Sequence, residues 1–262
     1  MRCLVIGCGS IGTRRARLLA EMGHDVVGVD TDPGRVEALS AYGVESAEYG
    51  DGMDVALICT PVSVRLDPIR YAIAAGVRGL FIEKPVAMEM TTAKAMLETL
   101  DDTGIITMGA CNFRFDPRLK AIGEPTTLVL EMGQNWRYWS DLHQPVTLMM
   151  DDIHELDLAH HLAGPIVGVS GCSTLRRADA LVKHANGSRS HIHLNRVSDP
   201  PHRTVTSYEG HRRVVASLWP TDPEVYRREM EHFMSCVENV SATCNPLASA
   251  VETLGWALEV VG

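Results

Sequence analysis

Three glycines near the start of the chain have the spacing of a turn that binds a dinucleotide. Gly7, Gly9 and Gly12 form a G-x-G-x-x-G pattern after a short apolar run. In such a turn the first glycine allows a tight bend, the second lets the backbone approach a pyrophosphate, and the third lets a helix pack closely on the strand. The helix predicted from Ser10 and Ile11 begins with N–H groups that favour phosphate oxygens. These residues are therefore predicted to bind a pyrophosphate; a glycine turn without a phosphate is the alternative.

An acidic residue follows the second predicted strand. This strand, residues 25–29, ends at Asp30, about 20 residues past the glycines, where a carboxylate can accept a hydrogen bond from a ribose 2′-hydroxyl. The same carboxylate would repel a 2′-phosphate, so the sequence favours NAD over NADP as the cofactor. Arg35 lies a few residues further on and could bind a phosphate instead, which leaves NADP open.

The elements that must position these groups alternate regularly through residue 109. Apolar strand patterns are separated by helical patterns, of which the second is predicted over 33–41. This alternation predicts an α/β fold with an N-terminal Rossmann-type, doubly wound parallel sheet. Ligands of such sheets bind beyond the carboxyl ends of the strands. Five residues that lie just past the ends of predicted strands are therefore expected on the cofactor side: Thr60, Pro61, Glu83, Lys84 and Asn112.

The pattern of elements changes in the second half of the chain. An irregular segment at 134–145 precedes a helix predicted over 150–162, then five or six mostly antiparallel strands and two closing helices. The sequence thus predicts a dinucleotide-binding Rossmann domain over 1–117. An α+β domain with a mostly antiparallel open sheet is expected over 118–262, for substrate binding and oligomerisation, with C-terminal helices that could pack back on the first domain. A cleft between two such domains is the default ligand site.

Composition and charge argue against several other classes of protein. The 262 residues are 45% hydrophobic and 22% charged, as in ordinary globular proteins. A formal net charge of −9 without a basic stripe argues against nucleic acid as a partner. No apolar stretch approaches the about 20 residues of a membrane helix. Seven cysteines without a C-x-x-C pair, and a first strand that starts almost at Met1, predict reduced thiols, no leader peptide and a cytoplasmic location.

Four segments of the chain carry recognisable motifs: VIGCGSIGTRRARLL at 5–19, ICTP at 58–61 with FIEKP at 81–85, CNFRFDP at 111–117 and DDIHELDLAHHL at 151–162. The EKP element at the end of the fourth predicted strand is the most specific of them. Taken together and in this order, the segments resemble the Gfo/Idh/MocA family of NAD(P)-dependent oxidoreductases. The resemblance covers most of the chain and implies a Rossmann domain followed by an α/β domain with an open sheet.

The resemblance implies three catalytic residues. Lys84 is the lysine of EKP, and His154 is the histidine of the first long helix in the second domain. The family's aspartate commonly stands four residues before that histidine, where this chain has Met150. Asp151 is the candidate instead, because residues three apart on a helix share one face. The chemistry agrees, because alcohol oxidation needs a base, for which a histidine is suited near neutral pH, and a cation to steady the oxyanion. Asp151 could orient His154, bind a substrate hydroxyl or be only an acid at the start of the helix.

Three further residues are weaker candidates for the site, and two arginines differ from the residue type that is common in the family. Asn112, Arg114 and Trp136 are expected to contact the substrate, with side-chain packing as the alternative. Arg15 and Arg65 stand where many relatives carry a histidine, which leaves details of cofactor contact open.

A divalent metal site is a rival use of the histidines. His154, Asp157 and His161 would share one helix face, and His191 and His193 would share one side of a strand. No tight ligand motif joins these residues, so no metal is predicted.

The sequence therefore predicts an NAD(P)-dependent oxidoreductase that transfers a hydride between the nicotinamide and a sugar, cyclitol or related polyol or carbonyl substrate. A reductase of a non-sugar substrate and a non-catalytic NAD-binding sensor or partner protein are the alternatives. The family also implies a homo-oligomer, either a dimer or a tetramer.

Overall fold

The computed structural model describes residues 1–46, 52–135 and 147–260. These residues divide into two compact units, which comprise Met1–Ala110 with Glu229–Val251, and Cys111–Arg228 with Glu252–Gly262. The helices are α1 (Ser10–Glu21), α2 (Pro33–Glu37), α3 (Leu66–Ala74), α4 (Met90–Leu100), α5 (Leu148–Asp151), α6 (His154–Ala163), α7 (Glu224–Glu238) and α8 (Leu247–Glu259).

The first unit is built on a six-stranded parallel sheet of order β3-β2-β1-β4-β5-β6. Every residue of β4 and β5 is buried, as expected for strands covered by helices on both faces. The predicted fold class is confirmed for this half of the chain. The strands are β1 (Arg2–Ile6), β2 (Asp25–Val29), β3 (Glu45–Ser46), β4 (Val55–Ile58), β5 (Gly79–Ile82) and β6 (Ile106–Gly109).

The strand register aligns the carboxyl ends of five strands. Ile6 of β1 pairs with Val29 of β2 and with Ile58 of β4, and Ile82 of β5 pairs with Ile58 and with Gly109. Because these five residues end their strands, the residues that follow them lie along one edge of the sheet. This register is why the predicted cofactor residues of the first unit share that edge.

The second unit contains a six-stranded sheet of order β12-β11-β7-β10-β9-β8. β7 and β10 are parallel, and all other neighbours in the sheet are antiparallel. Alternate residues such as Leu130 and Ile192 are fully buried on one face, which α5 and α6 cover. The strands are β7 (Thr127–Asn135), β8 (Ile166–Ser173), β9 (Arg177–His184), β10 (Arg189–Asn195), β11 (Val197–Glu209) and β12 (Arg212–Ser217).

The two units are not divided by a single boundary at residue 117, and part of the C-terminal helices, which were expected to be able to pack back on the first domain, belongs to the first unit. Residues 111–117 belong to the second unit, since Arg114 is paired with Asp157 of α6. Residues 229–251 belong to the first unit, where Phe233 of α7 packs edge-on against Phe81 of β5 at 5.6 Å.

Two predicted helices are shorter than the sequence suggested. The helix expected over 150–162 is divided into α5 and α6, because Asp152 has φ −100° and ψ 50° and leaves the helical conformation. Its carboxylate is bound 2.9 Å from Arg203, an interaction that no helix pattern reveals. The helix expected over 33–41 ends at Glu37, and a 3-10 turn follows at Ser40–Tyr42.

No helix within the described ranges is long and apolar enough to cross a membrane. All seven cysteines are free thiols, and only Cys172 and Cys244 are exposed.

Candidate active site

The glycine turn of the first unit admits no side chain at two of its positions. Gly7 has φ +94°, and a Cβ there would lie 2.7 Å from the backbone nitrogen of Thr60. A Cβ on Gly12 would lie only 1.8 Å from the carbonyl oxygen of Gly7. The turn is therefore packed between the start of α1 and the end of β4, as the glycine spacing predicted.

The N-terminus of α1 is open in front of this turn. Gly9 is the N-cap, no side chain caps the helix, and its first turn carries no acidic residue. A Cβ on Gly9 would meet only the Nη1 atom of Arg35, at 4.0 Å. The first N–H groups of the helix, at Ser10 and Ile11, thus stand at an uncapped end that suits a phosphate.

The carboxylate of Asp30 is held at the end of β2. Its oxygens accept hydrogen bonds from the backbone N–H groups of Cys8 (2.7 Å) and Asp32 (2.9 Å), and Arg35 lies 3.6 Å away. Burial would raise the pKa of Asp30, but these donors and Arg35 outweigh it and hold the pKa below its usual value. Asp30 is therefore an anion of fixed position beside the glycine turn.

A buried hydroxyl without a hydrogen-bond partner lies at the same edge. Within the described part of the chain, Thr60 Oγ1 is inaccessible and has no hydrogen-bond partner. Buried polar groups are rarely left unsatisfied, so an orphan is an indication of a missing ligand. Together with the uncapped helix and the anion at Asp30, this hydroxyl fits the binding of NAD. The individual contacts of Thr60 and Pro61 stay predictions.

The EKP segment follows β5, two strands away from the glycine turn. The Glu83 carboxylate is buried and binds Arg15 of α1, with Oε1 2.9 Å from Nε and 2.8 Å from Nη2. The Lys84 N–H donates to Glu83 Oε2 at 3.3 Å. Lys84 is half-buried, and its predicted catalytic role stays a prediction.

Arg15 is a buried cation shared by two carboxylates. Besides Glu83, it binds Glu229 of α7 at 2.6 Å, and its guanidinium lies over the ring of Phe81. Burial would lower the pKa of Arg15, but Glu229 and Glu83 raise it above its ordinary value. The cation therefore ties α1, the EKP segment and α7 together.

In the second unit, His154 lies against an aromatic ring. It begins α6, is only 9% exposed, and meets Phe113 edge to face at 4.9 Å. The guanidinium of Arg203 lies 4.1 Å from the centre of the same ring. Phe113 thus limits the rotation of the predicted acid–base histidine.

The carboxylates on either side of His154 in the sequence are bound by two buried arginines. Asp151 accepts a hydrogen bond from Arg196, and Arg203 binds both Asp152 (2.9 Å) and Glu155 (2.8 Å). Asp151 and His154 lie in different helices, so the argument that both share one helix face does not hold. A catalytic role for Asp151 stays a prediction.

The predicted substrate residues have different surroundings. Asn112 is buried, and its Nδ2 lacks a hydrogen-bond partner among the described residues. Arg114 is bound by both oxygens of Asp157, at 2.9 and 2.6 Å, which uses Nε and Nη2 of its guanidinium. Trp136 lies outside the described residues.

The histidines weighed as metal ligands do not form a cluster. Over residues 1–46, 52–135 and 147–260, no group of three or more His, Cys, Asp or Glu side chains could hold an ion. His193 is instead bound to Asp179 at 2.7 Å on the exposed face of the second sheet.

Three partners in these networks were missed by the sequence reasoning. Glu229, Arg196 and Arg203 are each buried and ion-paired, but in the sequence they stand among other charged residues without a motif. The sequence shows each of them only as a charged residue in an amphipathic segment. A charged side chain in such a segment is ordinarily exposed to solvent, so nothing indicated that these three are buried.

Comparison with known proteins places these features in a family. Residues 1–110 match the GFO_IDH_MocA model, described as an oxidoreductase family with an NAD-binding Rossmann fold. Inositol 2-dehydrogenase of Rhizobium meliloti (strain 1021) is 30% identical over 126 residues, which cover 45% of this chain and 38% of that protein. The scyllo-inositol 2-dehydrogenase (NAD(+)) of Bacillus subtilis (strain 168) is 25% identical over 297 aligned residues, covering 91% of this chain and 86% of that protein.

The fold is also shared over the whole chain with a solved structure. Scyllo-inositol dehydrogenase from Lactobacillus casei, with bound NAD(H) and scyllo-inositol, superposes with a TM-score of 0.86. The two are 15% identical, and the match covers 99% of this chain and 95% of that one.

The glycine turn and the anion beside it lie within residues 1–110, which match the Gfo/Idh/MocA family of NAD-binding oxidoreductases with a Rossmann fold. The predicted resemblance to this family, the fold class and the NAD cofactor are thereby confirmed.

Proposed function

We propose that this protein is a dehydrogenase that uses NAD to oxidise a secondary alcohol of a cyclitol or sugar, or to reduce the matching ketone. The observation that carries the proposal is the EKP segment, with Lys84 on the sheet edge that also holds the dinucleotide turn. The names of the Rhizobium and Bacillus relatives, both inositol dehydrogenases, support the substrate class.

Each of the three proposed catalytic residues has one task. Lys84 donates a hydrogen bond to the substrate oxygen and stabilises its charge as the hydroxyl proton leaves. His154, held by Phe113, accepts that proton. Asp151, bound to Arg196, supplies a carboxylate for a further substrate hydroxyl. NAD supplies the hydride acceptor when it is bound.

A substrate panel tests the proposal directly. The purified protein is incubated with NAD and, in separate assays, with myo-inositol, scyllo-inositol, simple hexoses and non-sugar hydroxy acids, and formation of NADH is followed. Turnover of a cyclitol or sugar supports the proposal. Turnover of hydroxy acids alone, or NADH binding without any turnover, contradicts it.

The charge of Asp30 is expected to set the choice of cofactor. Asp30→Asn keeps an oxygen that can accept from the Cys8 N–H but removes the negative charge. The variant therefore no longer repels a 2′-phosphate, and it also loses the strong hydrogen bond that a carboxylate accepts from the ribose 2′-hydroxyl. We expect the Kd for NADH to rise about 10-fold and the ratio of the NADPH and NADH Kd values to fall by about 10²-fold.

Fluorescence titration with NADH and NADPH measures both constants. Asp25→Asn is the matched control, because Asp25 lies at the opposite end of the same strand with an exposed side chain. An unchanged NADPH to NADH ratio in the Asp30 variant would show that another residue selects the cofactor.

The exposed face of the second sheet supports a homo-oligomer. Strand register places Asp179 and Glu131 in one row across β9, β10 and β7, and Lys183 and Arg189 in another. Leu181, 52% exposed, lies in the row between them. A two-fold axis through this middle row would set each acidic row against the basic row of a second copy, which we propose as the dimer contact.

Leu181→Arg is expected to dissociate this dimer, because a two-fold axis along the middle row would set each added charge against the same charge of the second copy. Sedimentation velocity of the variant should show a monomer at concentrations where the original protein is dimeric. Val64→Arg, also at an exposed apolar residue but in the first unit, should leave the mass unchanged. A dimer that persists in Leu181→Arg rules out this face.

The seven free thiols support a reducing, cytoplasmic location, which we include in the proposal.

A further inference from the structure

Arg65 is a buried arginine that hydrogen-bonds mainly to backbone. It directly precedes α3 and is only 4% exposed. Its Nε donates to the carbonyl oxygen of Thr60 at 3.2 Å, and Nη1 donates to the carbonyl oxygens of Glu83 and Pro85. Nη2 lies 3.5 Å from the carbonyl oxygen of Lys84. One guanidinium therefore holds three consecutive carbonyls centred on Lys84, and a fourth from the segment after β4.

The arrangement of these four carbonyl oxygens requires a guanidinium. Its donors form a rigid planar fork, so that they can reach several acceptors in fixed directions, whereas a lysine ammonium is a single point on a flexible chain. Burial lowers the pKa of Arg65 to about 10, and the side chain still stays protonated at neutral pH. A cation buried in this way is costly, and its donors are directed to the backbone of the EKP segment and of Thr60.

We infer that Arg65 is a positioning residue for Lys84. It fixes the backbone on both sides of this lysine and joins it to Thr60, at the cofactor edge of the sheet. Arg15 holds the same segment through the side chain of Glu83, so that backbone and side chain are anchored separately. The inference rests on the proposed function, because it takes Lys84 as the catalytic lysine. Small displacements of a reacting group lower turnover strongly while binding is kept.

The test compares Arg65→Lys and Arg65→His with Arg70→Lys. Arg70 lies on α3 with an exposed side chain that pairs with Asp67, so its variant is the matched control. Hydrogen exchange of peptides covering residues 82–88 is measured on the NAD-loaded protein. Turnover of myo-inositol and scyllo-inositol is measured with ring-protiated and ring-deuterated substrate.

We expect both Arg65 variants to exchange faster in residues 82–88 than the original protein, with Arg70→Lys unchanged. Their kcat should fall by about 10- to 10²-fold, while the Kd for NAD stays within about 3-fold. The deuterium isotope effect on kcat should rise, because a misplaced Lys84 makes hydride transfer limiting. A merely structural role would reduce the folded fraction and leave the isotope effect unchanged.

Three outcomes would overturn the inference. The first is hydrogen exchange in residues 82–88 that is the same in the Arg65 variants as in the original protein. The second is a loss of activity that equals the loss of folded protein, with an unchanged isotope effect. The third is that both Arg65 variants fail to fold while Arg70→Lys folds. If the original protein turns over neither inositol but exchange in residues 82–88 still depends on Arg65, the anchoring stands and the proposed function for these substrates fails.

Discussion

Lys84→Met is expected to lower kcat by about 10²-fold or more while the Kd for NADH changes by less than about 3-fold. Methionine has a similar length but no charge and no donor, so the developing charge on the substrate oxygen would lose its partner. The backbone of residue 84 should keep its place, because its anchoring to Arg65 and the Glu83 carboxylate uses main-chain atoms. Binding of the cofactor and the chemical step are thus separable in this variant.

Stopped-flow and steady-state measurements with the substrate identified by the panel determine kcat, and titration determines the Kd for NADH. Lys94→Met is the matched control, since Lys94 is an exposed lysine of α4 in the same unit. Turnover by Lys84→Met at the original rate would show that Lys84 has no catalytic role. The same assays on His154→Asn show whether loss of the imidazole affects the same step.

The dinucleotide turn could be predicted from the sequence because its determinants are local. Gly7 and Gly12 are separated by five positions, and the steric reason for each lies within the turn and the next strand. Strand–helix alternation gave the parallel sheet for a similar reason, since each strand is an uninterrupted apolar run. The residues after strands β4 and β5 could be placed on one edge because parallel strands align their carboxyl ends.

The charged networks could not be predicted, because they join residues that are distant in the sequence. Arg15 looks like a surface residue of a helix until Glu83 and Glu229 are brought to it by the fold. The break between α5 and α6 has the same origin. The pattern of residues 150–162 predicts one helix, but the backbone leaves the helical conformation at Asp152, whose carboxylate is bound by Arg203.

Arg65 illustrates another reason why the site could not be predicted fully from the sequence. The sequence shows that Arg65 stands where many members of the family carry a histidine. That difference alone does not indicate what the arginine does. The carbonyl oxygens that it binds have no signature in the sequence, because every residue has one. Only the folded backbone shows that they converge on a single guanidinium.

Gly9→Ala and Gly12→Ala are expected to have opposite effects, although each adds one methyl group to the same turn. The Cβ at Gly12 would overlap the Gly7 carbonyl oxygen at 1.8 Å, so α1 would have to move away from β1. We expect a loss of about 4 kcal/mol or more in the free energy of unfolding. At Gly9 the backbone has φ −70° and ψ −164°, which alanine adopts freely, and the space is open, so stability should change by less than about 0.5 kcal/mol.

For cofactor binding the order of the two variants reverses. The added methyl of Gly9→Ala would stand where the pyrophosphate must approach the uncapped start of α1, and the Kd for NADH should rise by about 10²-fold in a fully folded protein. Urea unfolding gives the stabilities, and NADH titration gives the affinities. Gly104→Ala, where no atom lies within 4 Å of an added Cβ but φ is +68°, controls for backbone strain alone. Undiminished NADH affinity in Gly9→Ala would mean that the dinucleotide does not cross the glycine turn.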